Sequence, residues 1–129
     1  MLITSLYTAL TAVLLIVLSF NIAAKRYRLK TGLGDKGDKI LQIAIRAQGN
    51  LIEYAPITLL LLLFVEMGHQ LPSDWVHGLG MAFVISRIAH AFGFIKGRGG
   101  VSICRMVGTL VNWLIILALA IFILVVHFS

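Results

Sequence analysis

The sequence predicts an all-α integral membrane protein, a four-helix up-down bundle in a single domain covering residues 1–129. Three observations predict it. Of the 129 residues, 60% are apolar, and the mean hydropathy is +1.00. A soluble core of this size has no room for so much apolar surface, so lipid must be the main solvent. Four apolar runs each approach the roughly 20 residues that cross a hydrocarbon layer. The basic residues alternate by connection: six between residues 25 and 39, none between 67 and 74, and three between 96 and 106.

The first run, Leu2–Ala24, has neither a positively charged start nor a small-residue cleavage site, and basic residues follow it. It reads as a retained span rather than a signal peptide. The second, Ile40–Glu66, is long enough but polar in its first half, and it contains Pro56. Proline removes one backbone donor and clashes one turn back, near Ile52, which predicts a kink that opens room there. The third, Trp75–Ile95, is interrupted by Arg87 and His90, and the fourth, Val107–Phe128, by Asn112. Short connections favour antiparallel neighbours. The Lys/Arg bias places connections one and three in the cytoplasm and both termini outside.

The net charge of +6 does not point to nucleic acid, because the basic residues sit beside apolar runs, as in cytoplasmic membrane loops. Cys104 is the only cysteine, which excludes an intrachain disulfide and a cysteine metal cluster. The His and Glu spacing gives no metal signature, and no metal is expected. GLGDKG at residues 32–37 formally matches G-x-G-x-x-G, but a dinucleotide fingerprint needs a strand before it and a βαβ unit around it. The glycines read as a flexible solvated turn.

The stretch IRAQGNLIEYAP, residues 45–56, carries Arg46, Gln48, Asn50 and Glu53 at one end of a span. A charge at the centre of a lone membrane helix costs about 2.5–3.5 kcal/mol. On a helical wheel Asn50, Glu53 and Tyr54 fall within a quadrant of Arg46, and Gln48 falls on the opposite side. Both faces therefore need protein or a polar cavity over them. Arg87, His90 and Phe94 share a face of the third helix at the same depth. Arg105 begins the fourth helix there, and Lys25 and Arg26 end the first. Taken singly, Arg87 fits a structural ion pair or carbonyl contact, His90 an interior hydrogen-bonded histidine, Phe94 packing, and Lys25, Arg26 and Lys96 snorkelling charges. Together they are a surplus of cations around one buried acid, Glu53, and they ask for an anionic partner.

The pattern R-A-Q-x-N-x-x-E-Y-x-P at Arg46–Pro56, with Arg-x-x-His late in the third span, resembles the signature of the MAPEG family, the membrane-associated proteins of eicosanoid and glutathione metabolism. The resemblance spans nearly the whole chain, and the short length looks like a bacterial member akin to the microsomal glutathione transferases. It implies a homotrimer, in a bacterial inner membrane, that binds glutathione between subunits near the cytoplasmic side. Arg46, Asn50, Glu53, Tyr54 and His90 would hold glutathione from one subunit. Gln48 and Lys25 or Arg26 would reach it from the neighbour, which accounts for the two-sided wheel. Arg105 best matches the arginine that activates the thiol, with Arg98 as the alternative across a long loop, GRGGVSIC. Phe94 stands where leukotriene C4 synthase and prostaglandin E synthase have Tyr. Gly49 replaces an arginine of prostaglandin E synthase, which argues against that isomerase.

The implied function is a detoxifying glutathione transferase or peroxidase acting on lipophilic electrophiles or lipid hydroperoxides. Two other classes fit the chain: a non-catalytic lipid-binding relative, since Phe94 lacks the hydroxyl, and a small four-helix exporter coupling protons through Glu53. The surplus of arginine speaks against an exporter of cations, which needs a net negative site.

Overall fold

A computed structural model describes all 129 residues. It has four α-helices and no strand: α1 Ile3–Leu29, α2 Lys39–Met67, α3 Ser73–Lys96 and α4 Ile103–Phe128. Each is long and apolar enough to cross a membrane. Many large apolar side chains, among them Phe20, Trp113 and Leu114, lie on the outside, as a lipid-facing surface requires.

Two boundaries move by about a turn from the sequence reading, for physical reasons, and the others by two residues at most. The first apolar run ends at Ala24, but α1 continues to Leu29. Arg26 and Arg28 lie in its last turn, where the helix dipole favours cations. Lys30 then takes the left-handed conformation, with its N–H directed to the Arg26 and Tyr27 carbonyls. Lys36 Nζ donates to the Leu29 and Lys30 carbonyls at 3.0 and 3.2 Å. α4 begins at Ile103 rather than Val107, because Ser102 Oγ caps it by accepting from the Arg105 N–H at 3.2 Å. Arg105 is therefore a helical residue of the first turn.

The GLGDKG segment is a turn. Gly34 and Gly37 have φ of 69° and 72°, a region open to glycine, and Asp38 caps α2 by accepting from the Leu41 N–H at 2.7 Å. α2 runs unbroken through Pro56 from Lys39 to Met67. At its far end Glu66 accepts from the Ile3 and Thr4 N–H groups. The carboxylate of one helix thus caps the N-terminus of another.

α2 and α3 form the central pair, and α1 and α4 lie on opposite sides of it without touching each other. The core runs through Leu62, Val65, Val76, Phe83, Ile115 and Leu119. Gly80 leaves a notch that the Tyr7 ring fills; a Cβ there would sit 2.2 Å from the ring. The Tyr7 hydroxyl meets His77 Nδ1 at 3.0 Å. Gly99 of the third connection packs on Ile43 near the start of α2, so connections one and three share one end of the bundle. Ile3 and Glu66 mark the other.

Candidate functional site

Arg46 and Glu53 form the only ion pair in the chain, Nη1 to Oε1 at 3.0 Å. Seven residues of helix separate them, about 10.5 Å of axial rise. The arginine spans that distance by lying over Gly49, where a Cβ would stand 3.4 Å from Arg46 Nη1 and 4.0 Å from Glu53 Oε1. Both side chains are open on the chain's outer face, 60% and 51% exposed. Within the single chain Glu53 is therefore not a buried acid, contrary to the sequence expectation. Its carboxylate faces outward because the core side of this turn is taken by Leu51 and Ala55.

The middle of the stripe turns toward α3. Arg87 is 2% exposed. Its Nη1 donates to Asn50 Oδ1 at 2.9 Å, its Nη2 to the Gly108 carbonyl at 2.6 Å, and its Nε to Ser86 Oγ at 3.4 Å. The guanidinium lies 5.8 Å from the centre of the Tyr54 ring. One arginine thus ties together α2, α3 and α4, with neutral partners only. An arginine only donates, so it fixes the Asn50 amide with its oxygen inward. The approach of α4 depends on Gly108, where a Cβ would meet the Ser86 carbonyl oxygen at 2.5 Å and the His90 nitrogen at 2.8 Å.

A third group lies toward the basic end. His90 is buried, and its ring stacks on Phe94 with centroids 6.1 Å apart. The Arg105 guanidinium stands 4.3 Å over the same Phe94 ring, and its Nη1 donates to the Gly99 and Gly100 carbonyls at 3.3 and 3.2 Å. Gly93 makes room for this corner, since a Cβ there would fall 2.6 Å from the Arg105 nitrogen. Arg105 also lines an open cleft of about 350 Å³ with Val101, Met106, Thr109 and Leu110. Arg98, the alternative activator, is exposed in the connection with φ 50°.

The remaining residues point elsewhere. Gln48 Nε2 donates to Ser19 Oγ of α1 at 2.6 Å, on the side of α2 away from the Arg46–Glu53 pair. Lys25 Nζ donates to Asn21 Oδ1 at 2.7 Å, and Arg26 Nη1 to the Gly34 carbonyl at 2.8 Å. A single chain thus joins Arg46 with Glu53, Asn50 and Tyr54 with Arg87, and His90 with Phe94 and Arg105. It leaves Gln48, Lys25 and Arg26 on the α1 side. Of the two structural roles read for Arg87, carbonyl contact holds. Its link to Asn50 was not read, although their common depth was visible. Ser19 carried no signal, being one hydroxyl in an apolar run. Asn112 did carry one. It is fully buried, and its Oδ1 accepts from Thr58 at 3.4 Å.

A model of the MAPEG family matches residues 4–125. The inner membrane protein YecN of Escherichia coli K12 is 39% identical over 93 residues, covering 71% of this chain and 70% of YecN. The protein of the same name from Escherichia coli O6:H1 matches to the same extent.

Proposed function

The chain belongs to the MAPEG family, and from that premise we propose that it is a membrane-embedded glutathione-dependent transferase or peroxidase that works as a homotrimer. The observation that carries this reading is the Arg46–Glu53 pair, set on an outer face of a helix long and apolar enough to cross a membrane, beside Asn50 and Arg87. Lipid does not tolerate such a face bare. A second copy of α2 and its ligand would cover it.

The pair suits glutathione. The γ-glutamyl end is a zwitterion, one carboxylate and one ammonium, and an Arg/Glu pair is its complement. Arg46 would take the carboxylate with its planar fork, and Glu53 would take the ammonium. Each exchanges its partner within the chain for one in the ligand, so no charge is left bare. Asn50 is held from behind by Arg87, and its amide nitrogen makes no bond within the chain. Tyr54 and His90 complete this side. Gln48 and Lys25 or Arg26 would approach from the neighbouring subunit, and the second carboxylate falls to the basic residue among them.

A free thiol ionises near pH 8.5, so little is thiolate at neutral pH. Arg105 beside the sulfur would stabilise the thiolate, and each unit of lowering corresponds to about 1.4 kcal/mol. In transfer, the sulfur forms a bond to carbon as the leaving group departs with its electron pair. In peroxidation, two thiols become a disulfide while a hydroperoxide becomes an alcohol and water. The apolar cleft at Arg105, open at the surface of α4, offers a lipophilic substrate a lateral way in. The same reading puts the protein in a bacterial inner membrane, with connections one and three in the cytoplasm.

Calorimetry on the detergent-purified protein tests it. Glutathione should bind, and cysteinylglycine, which lacks the γ-glutamyl zwitterion, should not. Failure of glutathione to bind would remove the proposal. A second reading, a non-catalytic lipid-binding relative, draws on the engagement of Arg105 by two carbonyls and the Phe94 ring. Binding of glutathione without turnover would favour it.

A further inference from the structure

α1 outlasts its apolar run by more than a turn. The extension leaves a cleft of about 710 Å³ beside the first connection, walled by Ala23, Arg26, Tyr27, Arg28, Lys30 and Thr31. Its lining holds no carboxylate. Asp35 is engaged by the Gly37 N–H and Asp38 by the Leu41 N–H, and the chain's one ion pair lies on α2. Arg26 uses one nitrogen on the Gly34 carbonyl. Arg28 and Lys30 make no side-chain bond within the chain; Lys30 lines this cleft, and Arg28 borders both it and a smaller neighbouring cleft that Asp38 lines.

The helix face below the cleft is apolar. Ile16, Phe20, Ala23 and Tyr27 follow at i, i+4, i+7 and i+11, a single stripe, and all four are exposed. α4 does not reach α1 to cover them. The stripe runs from lipid-facing side chains, through a tyrosine of the kind that marks the membrane interface, into the basic cleft.

We propose that this cleft holds the headgroup phosphate of an anionic phospholipid of the surrounding membrane, with an acyl chain along Phe20 and Ile16. Basic clusters at the end of a membrane helix attract anionic lipid. The lining gives the selectivity: it holds three basic residues and no carboxylate, so the cation of a zwitterionic headgroup meets no acid within it. Inorganic phosphate matches the charge but not the apolar stripe. The inference does not rest on the glutathione reading. Arg26 figures in both, so the test uses Arg28 and Lys30.

Native mass spectrometry of the detergent-purified protein, titrated with phosphatidylglycerol and with phosphatidylcholine, decides it. Each basic residue near a charged membrane contributes about a fivefold factor. The double variant Arg28→Gln/Lys30→Asn should therefore lose about 25-fold in phosphatidylglycerol affinity, and Arg28→Lys should keep it. Asparagine is chosen at residue 30 because it tolerates the left-handed backbone there. If the double variant fails to fold, Arg28→Gln alone should lose about fivefold. Equal retention of the two lipids, undiminished phosphatidylglycerol binding in the variants, or displacement of the lipid by inorganic phosphate would each overturn the assignment.

Discussion

Arg46 reaches Glu53 across two turns of α2, at 3.0 Å, over the bare backbone of Gly49. The pair lies on the chain's outer face, so neither charge is committed to the core. Replacing Glu53 by Gln keeps the shape and removes the partner for a ligand ammonium. A charged hydrogen bond is worth about 1.5–3 kcal/mol, so glutathione affinity should fall more than about tenfold by calorimetry. Unchanged affinity would make the pair a structural one.

The α3–α4 contact should be intolerant at one glycine and indifferent at another. A Cβ at Gly108 meets two backbone atoms of α3 within 2.8 Å, whereas one at Gly78 meets nothing within 4 Å. Gly108→Ala should cost about 1–3 kcal/mol by forcing the helices apart, and with them Arg87 from the Gly108 carbonyl. Gly78→Ala should be neutral or stabilising by up to about 1 kcal/mol. Thermal unfolding in one detergent compares them. Equal melting temperatures would contradict the close approach.

The site is expected to be composite. Arg46→Ala and Gln48→Leu should each be poorly active, and their co-expression should give mixed trimers more active than either parent. At some interfaces an intact Arg46 face then meets an intact Gln48. The Ser19 contact supplies a control, because Gln48 already has a partner within its own chain. If Gln48 acts on the neighbour's ligand, Ser19→Ala should leave glutathione affinity within about twofold, under 0.5 kcal/mol. Mixed trimers no better than the parents' average would place each site within one subunit.

The four helices and the two-sided wheel of residues 46–54 were legible because lipid imposes strong patterns. A span must be apolar, and a polar stripe must be covered. The end of α1 was not legible from hydropathy, which marks where lipid stops and not where the helix stops. Arg26, Arg28 and Lys30 carry α1 on through dipole and capping effects. Arg105 was read at the start of α4, but the residue that sets that start, Ser102, is a capping residue easily read as loop. Which carbonyl Arg87 meets was out of reach, because the Gly108 carbonyl comes to it only through how far α4 slides along α3. Gly108 and Gly93 set that register, and glycines in an apolar run do not announce what they let approach. The exposure of Glu53 within the single chain was out of reach for a related reason: a wheel gives the face but not whether that face turns toward the chain's own core.

The measurement that bears most directly on the central claim is the ultraviolet difference absorbance of the thiolate when glutathione is added to the detergent-purified protein at neutral pH. A thiolate signal should appear in the unaltered protein. It should vanish in Arg105→Ala, which should still bind glutathione by calorimetry, and it should survive in Arg98→Ala. No thiolate signal from the unaltered protein with glutathione bound would contradict the claim that this site activates the thiol. A signal kept in Arg105→Ala and lost in Arg98→Ala would move the activating role into the third connection.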